Sequence, residues 1–265
     1  MRKPSILVAI PFKGEIDYLV AAVDSIMRDQ YVSGITYSIV LWDDGSSDEE
    51  LNHLYNAIDR RVLIFRNENV GYTQAAYNIF DYFMKNTPTD YILLANSDIK
   101  FRKGAFFAMI NRMNMNANYA VVGGKILEYD GDMIIHTGTI VNSDGTGVLD
   151  PYCNLHKDDP LANNVERRLW TNGCASLYNL NVLRKENLNF DVVNFPKCYF
   201  EESSLQTQLN LRGYGVLYEP RAEIGHKRNQ TMNHERDKHE SHFWTNWQKY
   251  QDMYFPLFKS DKLKF

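Results

Sequence analysis

Short apolar runs alternate with amphipathic helical segments through the N-terminal part of the chain. The apolar runs predict strands at residues 5–12, 36–42, 62–66 and 91–95. The segments between them predict helices at residues 17–29, 51–58 and 73–84. Strands that alternate with helices at this spacing favour an α/β fold, a mostly parallel sheet that helices cover on both faces.

Polar clusters follow three of these predicted strands directly. They comprise residues 43–48 after the second strand, 67–71 after the third and 96–98 after the fourth. Ligands of parallel α/β sheets bind at the carboxyl ends of the strands, so the three clusters should lie close together. The sequence therefore predicts a ligand site at that edge of the sheet.

The second half of the chain is less regular. Turn residues at 130–132 and 142–147 indicate hairpins. Helical patterns at 182–187 and 203–211 precede an apolar run at 216–218, which we interpret as a strand closed by Pro220. We expect one domain over residues 1–232, followed by a helical tail of charged and aromatic residues over 233–265.

Composition is typical of an ordinary globular protein. Hydrophobic residues make up 44% of the 265 residues, and the formal net charge of −4 argues against a nucleic-acid partner, which would need clustered basic residues. Neither a signal segment nor a membrane span is expected from the apolar runs. Cys153, Cys174 and Cys198 lack the spacing of a zinc site or of a disulfide framework, so we expect free thiols in the cytoplasm.

Four polar features are candidates for chemistry, and each has a structural alternative. The acids at 43–44 can accept hydrogen bonds from a base or ribose, or they can cap the next helix. Asp98 can hold Mg²⁺ or Mn²⁺, which prefer oxygen ligands, or it can belong to an ordinary loop. The acids at 201–202 can cap a helix dipole or supply a general base. His226 can be a metal ligand or a hydrogen-bonded structural residue.

Taken in order, these pieces resemble glycosyltransferase family 2, whose members are inverting enzymes with the GT-A fold, and most closely its bacterial rhamnosyltransferase-like branch. The resemblance covers roughly residues 5–230. It is carried by residues 10–14 (IPFKG), 39–48 (IVLWDDGSSD), 69–78 (NVGYTQAAYN), 96–98 (NSD), 170–177 (WTNGCASL), 190–191 (FD), 199–205 (YFEESSL), 212–214 (RGY), Pro220 and His226. Each motif is short, but the shared order and spacing make the resemblance specific.

The resemblance implies a role for each matching position. The donor nucleotide would contact Pro11, Phe12, Asp43, Asp44, Asn69, Gly71, Gln74, Asn78, Asn96 and Ser97. The metal ligands would be Asp98 and His226. Glu202 would be the catalytic base, with Glu201 beside it. The acceptor side would include Trp170, Asn172 and Gly173. Residues 1–122 would form the nucleotide-binding half of the domain, and residues 123–232 the acceptor-side half, which would contain a small antiparallel part.

The implied activity is an inverting transfer of a sugar, hexosyl or rhamnosyl, from a nucleoside diphosphate to a hydroxyl group. The donor would be UDP-, dTDP- or GDP-linked, the cofactor Mn²⁺ or Mg²⁺, and the acceptor a glycan or a lipid-linked glycan of surface polysaccharide synthesis. The tail is compatible with packing on the domain, with contact to a second subunit in a homodimer, or with peripheral contact to the membrane from the cytoplasm.

Departures from the family pattern keep other functions open. Asn96 replaces an Asp, Glu202 replaces the usual Asp, Ser204 replaces an acid and Tyr77 stands where a basic residue is common. An alternative is therefore a GT-A domain that binds nucleotide or glycan without catalysis. A nucleotidyltransferase ranks lower, because residues 11–15 (PFKGE) lack the glycine-rich, basic loop expected after its first strand.

Overall fold

The computed structural model describes residues 3–33, 35–227 and 236–258. Its strands are β1 (Ile6–Phe12), β2 (Ser38–Asp44), β3 (Leu63–Asn67), β4 (Tyr91–Ala95), β5 (Ile99–Phe101), β6 (Tyr119–Glu128), β7 (Ile134–His136), β8 (Ile140–Val141), β9 (Val148–Leu149), β10 (Glu166–Arg167), β11 (Ala175–Asn179) and β12 (Gly215–His226). Its α-helices are α1 (Ile16–Ser33), α2 (Asp48–Ala57), α3 (Tyr72–Asn86), α4 (Ala105–Met113), α5 (Leu180–Glu186), α6 (Glu201–Leu211) and α7 (Arg236–Phe258). A short 3-10 helix, Pro160–Asn163, precedes β10.

The four N-terminal strands form the parallel part of the main sheet, in the order β3-β2-β1-β4. Next to them, β11 is antiparallel to both β4 and β6, and β12 is parallel to β6. The short strands β5, β7 and β10 add antiparallel pairs, and β8 pairs with β9 in a separate small sheet. This architecture confirms the predicted α/β fold with a small antiparallel part.

The direction of β11 brings distant segments of the chain to one sheet edge. Because β11 is antiparallel to β4, its amino end lies beside the carboxyl end of β4. Ala175 pairs with Ala95, and the Asn96 N–H donates to the Cys174 carbonyl at 2.8 Å. The carboxyl end of β12, at His226, lies at the same edge because β12 and β6 run parallel to β4. The predicted polar clusters and the segment before β11 therefore meet there.

Both faces of β1, β2 and β4 are buried, which explains why these strands are continuous apolar runs. In β1, Ile6, Val8 and Ile10 belong to one core, and Leu7 and Ala9 belong to the other. Helices α1, α2 and α4 contribute to the first core, and α3, α5 and α6 to the second. The sheet is thus held between two helix layers, which leaves ligands to approach from an edge.

The described part of the tail is helix α7, and it packs on its own domain. Tyr250, Tyr254 and Phe258 of this helix are buried in a third apolar cluster with Phe200 of the domain. Of the three placements considered from sequence, packing on the domain is therefore the one observed for residues 236–258. The predicted boundary between residues 232 and 233 lies outside the described residues. Among the helices that are described, none is long and apolar enough to cross a membrane.

Two details of the predicted elements are wrong. Asp43 and Asp44 belong to β2 itself, where they pair with Arg66 and Asn67 of β3, rather than to the turn that follows it. Pro220 does not close a strand, because β12 continues through it to His226. The register with β6 shifts between Glu219 and Glu223. Pro220 lies in that irregular stretch, where a residue without an N–H is tolerated.

Adjacent phenylalanines on α4 offer a test of this packing. Phe106 is 1% exposed and packs edge-on against Tyr37, whereas Phe107 is 45% exposed. We expect Phe106→Ala to lower the free energy of unfolding by about 3–5 kcal/mol, because it leaves a cavity in the core. Phe107→Ala should cost about 0.5 kcal/mol or less. Urea denaturation measures both values, and equal losses would contradict the assignment of α4 to the core.

Candidate active site

Asp44, at the end of β2, organises the loop that leads into α3. Its Oδ1 accepts the Val70 N–H at 2.8 Å, and its Oδ2 accepts the Gly71 N–H at 3.0 Å. Burial raises the pKa of Asp44, and these two hydrogen bonds oppose that rise. A Cβ on Gly45 would lie 2.9 Å from the Asn69 backbone nitrogen, so the missing side chain lets the two loops pack closely. Asp44 therefore fixes the position of Asn69 and Gly71, both nucleotide-contact candidates.

Asp43 presents a free acceptor at the same edge. Its Oδ1 accepts the Ser46 N–H at 2.8 Å, and Ser46 Oγ in turn accepts the Gly14 N–H at 3.0 Å. Its Oδ2 is buried and has no hydrogen-bond partner within the described part of the chain. Phe12, the last residue of β1, pairs with Asp43, and Pro11 pairs with Trp42. A buried oxygen of this kind is normally satisfied by a donor, so Asp43 is suited to bind a ligand hydroxyl or N–H.

The first turns of α3 add polar groups beside this loop. Gln74 Nε2 donates to Asn78 Oδ1 at 2.8 Å, which aligns both amides on one face of the helix. The Thr73 hydroxyl is buried without a partner among the residues described. The N-terminus of α3 follows Gly71, whose φ of 84° is the left-handed conformation that glycine adopts readily. The amide groups of a helix N-terminus favour anions such as phosphate.

The segment 96–98 joins the end of β4 to the end of β12. Asp98 Oδ1 lies 3.2 Å from His226 Nε2, and the Lys227 N–H donates to the Asp98 carbonyl at 3.1 Å. Asn96 Oδ1 is buried, with no donor within ranges 3–33, 35–227 and 236–258. Ser97 lies between Asn96 and Asp98 and is half-buried. The structure thus brings the two predicted metal ligands together.

The Asp98 carboxylate is the ligand type of a hard divalent cation, and the His226 imidazole adds a borderline nitrogen ligand. Burial lowers the pKa of His226, but Cys174 and Asp98 raise it, to a net value of about 10. Bound metal would displace that proton, because an imidazole ligand is neutral. No group of three or more His, Cys, Asp or Glu side chains in the described regions is arranged to hold a metal. Mn²⁺ and Mg²⁺ usually keep phosphate oxygens and water among their ligands, so two protein ligands fit such an ion.

Glu201, which is buried, and Glu202, which is half-buried, form a carboxyl pair at the start of α6, and Oε2 of each is buried. Burial raises the pKa of Glu201 well above its usual range, and the neighbouring charge of Glu202 adds to the rise. Burial also raises the pKa of Glu202, against hydrogen bonds from backbone N–H groups. No protein donor among the described residues reaches Oε2 of either side chain. Two carboxyl groups in such a site retain a proton to higher pH than exposed acids do.

Gly173 provides the space that Glu202 occupies. A Cβ at residue 173 would lie 2.7 Å from Glu202 Oε1, closer than a Cβ atom approaches other heavy atoms. Asn172 Oδ1 accepts the Cys174 N–H at 2.8 Å, which shapes the same turn. Asn172, Gly173 and Glu202 are therefore together at the sheet edge, beside Asn96. Trp170 is placed differently, since the residue is 7% exposed and its ring centroid lies 5.1 Å from that of Tyr250 of α7.

Sequence reasoning missed three residues that border the site. The charges of Glu201 and Glu202 add to burial in raising the pKa of the Tyr72 hydroxyl and of the Tyr178 hydroxyl, so both phenols lie near the carboxyl pair. Cys174 hydrogen-bonds to His226. Tyr72 and Cys174 occur inside the quoted motifs, directly after Gly71 and Gly173, and this adjacency was a usable signal. For Tyr178, inside buried β11, the sequence offers no such signal.

Solved structures share this fold at low sequence identity. A crystal structure of GalNAc-T7 with UDP, GalNAc and Mn²⁺ superposes with a TM-score of 0.62 and 17% identity, covering 84% of this chain and 44% of that one. The mannosyltransferase PcManGT from Pyrobaculum calidifontis, in complex with GDP-Man and Mn²⁺, has a TM-score of 0.62 and 12% identity, covering 94% of this chain and 64% of that one. The chain thus spans less than two thirds of either protein. These similarities define the fold as GT-A.

The model of the family described as glycosyl transferase family 2 matches residues 7–159, more than half of the chain. The protein belongs to glycosyl transferase family 2. No curated protein sequence matches the chain. The matched region contains Asp43, Asp44 and Asp98 but ends before Glu202 and His226. Roles for the latter two therefore depend on the geometry described above.

The buried carboxyl pair should make stability depend on pH. A carboxyl group whose pKa is raised in the folded state stabilises the folded protein most at low pH. This contribution is lost as the pH rises above about 4.5, the pKa of the group in the unfolded chain. Glu201→Gln removes that loss. The melting temperature of this variant minus that of the unchanged protein should therefore increase by about 2 °C or more from pH 4.5 to pH 8. At this chain length, a change of ~1 kcal/mol in stability gives a shift of that size.

Thermal unfolding in metal-free buffer across this pH range measures the effect. Glu240→Gln is the matched control, because Glu240 is exposed on α7. A pH-independent difference between Glu201→Gln and the unchanged protein would contradict the raised pKa.

Proposed function

We propose that this protein transfers a glycosyl group from a nucleoside-diphosphate sugar to an acceptor hydroxyl, with inversion at the anomeric carbon. The observation that carries the proposal is the position of Glu202. Its buried carboxyl group lies over Gly173, at the sheet edge that also holds the Asp98–His226 pair. A raised pKa makes this carboxylate a stronger base than an exposed one.

The donor is proposed to bind along the ends of β1, β2 and β4. Asp43 Oδ2 and Asn96 Oδ1 are buried acceptors without partners in the described part of the protein, suited to the N–H and hydroxyl groups of a base and ribose. The loop at 67–71 and the N-terminus of α3 offer backbone N–H groups to phosphate. UDP-, dTDP- and GDP-linked sugars all remain candidates, and the two solved relatives contain UDP and GDP-Man.

In the proposed reaction, Glu202 accepts the proton of the acceptor hydroxyl as that oxygen attacks the anomeric carbon. The new bond forms between the acceptor oxygen and the anomeric carbon, while the bond to the diphosphate oxygen breaks on the opposite face. Burial is what raises the pKa of Glu202, whereas the hydrogen bond from the Glu201 carboxyl, whose own pKa is raised well above its usual range, opposes that rise. Gly173 leaves room for the carboxylate to face the acceptor.

A divalent cation fits this scheme. Asp98 and His226 would hold Mn²⁺ or Mg²⁺, which would supply positive charge to the leaving diphosphate. The acceptor is proposed to be a glycan or lipid-linked glycan of surface polysaccharide synthesis, as the resemblance to the rhamnosyltransferase-like branch implies. A cytoplasmic location, peripheral membrane contact and a homodimer stay predictions, as do the halves at 1–122 and 123–232.

Substitution of the base tests the reaction. We expect Glu202→Gln to lower kcat for transfer by about 10²–10⁴-fold, because the amide cannot accept the proton. Binding of the nucleoside diphosphate should be retained, since Glu202 lies on the acceptor side. Release of nucleoside diphosphate during transfer gives the rate, and calorimetric titration with UDP or GDP gives the affinity. Glu240→Gln is again the control, and near-normal turnover of Glu202→Gln would disprove the assignment.

Nucleotide binding provides a second, independent test. We expect Mn²⁺ together with UDP, dTDP or GDP to raise the melting temperature by about 5–10 °C at ~100 times the dissociation constant. Asp98→Ala should remove the part of this shift that requires Mn²⁺, whereas Asp59→Ala, in the exposed turn after α2, should not. Nucleotide-dependent stabilisation without transfer to any acceptor would favour the binding domain without catalysis. No stabilisation by any of these nucleotides would contradict the donor site.

A further inference from the structure

Asn246 of α7 holds the backbone immediately before the carboxyl pair. Its Nδ2 donates to the Cys198 carbonyl at 3.1 Å and to the Tyr199 carbonyl at 3.0 Å. The side chain is 7% exposed, so these two carbonyls, rather than water, receive its N–H groups. One side chain of α7 thus fixes the orientation of the peptide groups that precede Glu201.

The turn that Asn246 holds has a costly conformation. Tyr199 has φ of 83° and Phe200 has φ of 70°, both in the left-handed region. Bulky residues rarely adopt this region, and two in succession persist only when the surrounding structure enforces them. The next two residues are Glu201 and Glu202, at the start of α6. The direction in which α6 starts, and with it the placement of both carboxyl groups, follows from this turn.

Aromatic side chains of α7 cover the same turn from outside. The Phe200 ring lies 5.3 Å from Phe243, 5.4 Å from Trp247 and 5.6 Å from Tyr250. The Tyr199 ring lies 5.5 Å from Phe243. Ring packing of this kind fixes α7 on the domain, but it does not specify the orientation of the peptide groups. The hydrogen bonds from Asn246 to the Cys198 and Tyr199 carbonyls specify that orientation.

Two further hydrogen bonds clamp α7 to α6 below the turn. The Ser204 hydroxyl and the Tyr254 hydroxyl lie 2.6 Å apart, and the Thr207 hydroxyl bonds to the Tyr250 hydroxyl. These contacts stabilise the docked helix without touching the peptides at 198–200. The structure therefore separates two contributions of α7, docking through its rings and hydroxyls, and orientation of the turn through Asn246.

We infer that Asn246 is a positioning residue that orients the Glu201–Glu202 pair for the transfer reaction through the left-handed turn at Tyr199–Phe200. This role rests on the proposed function of Glu202, and it assigns to α7 a part in the active site beyond covering apolar surface. Asn246 acts through the backbone and contacts neither substrate nor metal.

A pair of conservative variants separates positioning from docking. Asn246→Asp keeps the shape of the side chain but replaces its N–H donors by an acceptor, which the two carbonyls repel. Tyr250→Phe keeps the ring against Phe200 and removes the hydroxyl bond to Thr207. Both variants lose buried hydrogen bonds between α7 and the domain, so both should melt at lower temperature.

Only Asn246→Asp should change catalysis. We expect its kcat to fall about 10–100-fold, the effect of a displaced reactive group, with little change in the affinity for UDP or GDP measured in Mn²⁺. Tyr250→Phe should retain the kcat of the unchanged protein. Asn246→Gln, which keeps both donors on a longer arm, should recover part of the loss. If Asn246→Asp does not fold, Asn246→Ala removes the donors without adding a charge and takes its place.

Hydrogen exchange supplies a readout that does not require activity. The peptide over residues 197–205 includes the Ser204 N–H, which donates to the Phe200 carbonyl at 2.8 Å. Its exchange should accelerate in Asn246→Asp and stay unchanged in Tyr250→Phe. Unchanged exchange in Asn246→Asp, or faster exchange with a normal kcat, would overturn the inference. If the unchanged protein transfers no sugar from any UDP-, dTDP- or GDP-linked donor, the proposed function fails, and exchange alone decides the role of Asn246 in orienting the pair.

Discussion

The pairing of β11 with β4 holds the two sides of the site together. Four parallel strands bring polar loops to one edge, but a parallel sheet alone would leave the segment before β11 at the opposite edge. Because β11 runs antiparallel, its amino end meets the carboxyl end of β4, where the Asn96 N–H donates to the Cys174 carbonyl. One backbone hydrogen bond thus links the loop at 96–98 to the turn that carries Gly173. The buried hydrogen bonds that fix Thr171 on Gln206 then connect that turn to α6 and its acids.

Charge at this edge is mostly negative. Asp43, Asp44, Asp98 and the carboxyl pair all converge there, and a nucleoside diphosphate would bring further negative charge. Different groups among the described residues offset these negative charges. Asp44 is neutralised in part by two N–H groups, the carboxyl pair by the proton that Glu201 retains, and Asp98 by the His226 imidazole. A divalent cation could replace the positive charge of His226 beside Asp98, since imidazole and carboxylate are both metal ligands.

Much of the fold could be predicted because it depends on local patterns. β1, β2 and β4 are buried on both faces, so each appears as an apolar run, and polar clusters follow β2, β3 and β4. The site was less predictable where it depends on distant contacts. The hydrogen bonds of Asp44 reach residues 26 and 27 positions away, and nothing near Asp44 in sequence indicates them. The left-handed turn at Tyr199–Phe200 contains no glycine to signal it. The aromatic residues of α7 were equally compatible with a bilayer, a second subunit or the domain itself.

The contact between Gly173 and Glu202 makes two positions of the sequence interdependent. A glutamate reaches one methylene further than the aspartate usual in the family, and the closest atom to a Cβ at residue 173 would be its Oε1, at 2.7 Å. The length of the acid at position 202 and the size of residue 173 are therefore linked, and a change at one position affects the other. A Cβ at position 173 would also lie 2.9 Å from the carboxyl carbon of Glu202 and 3.0 Å from its Cγ, so glycine is the residue that leaves this acid in place.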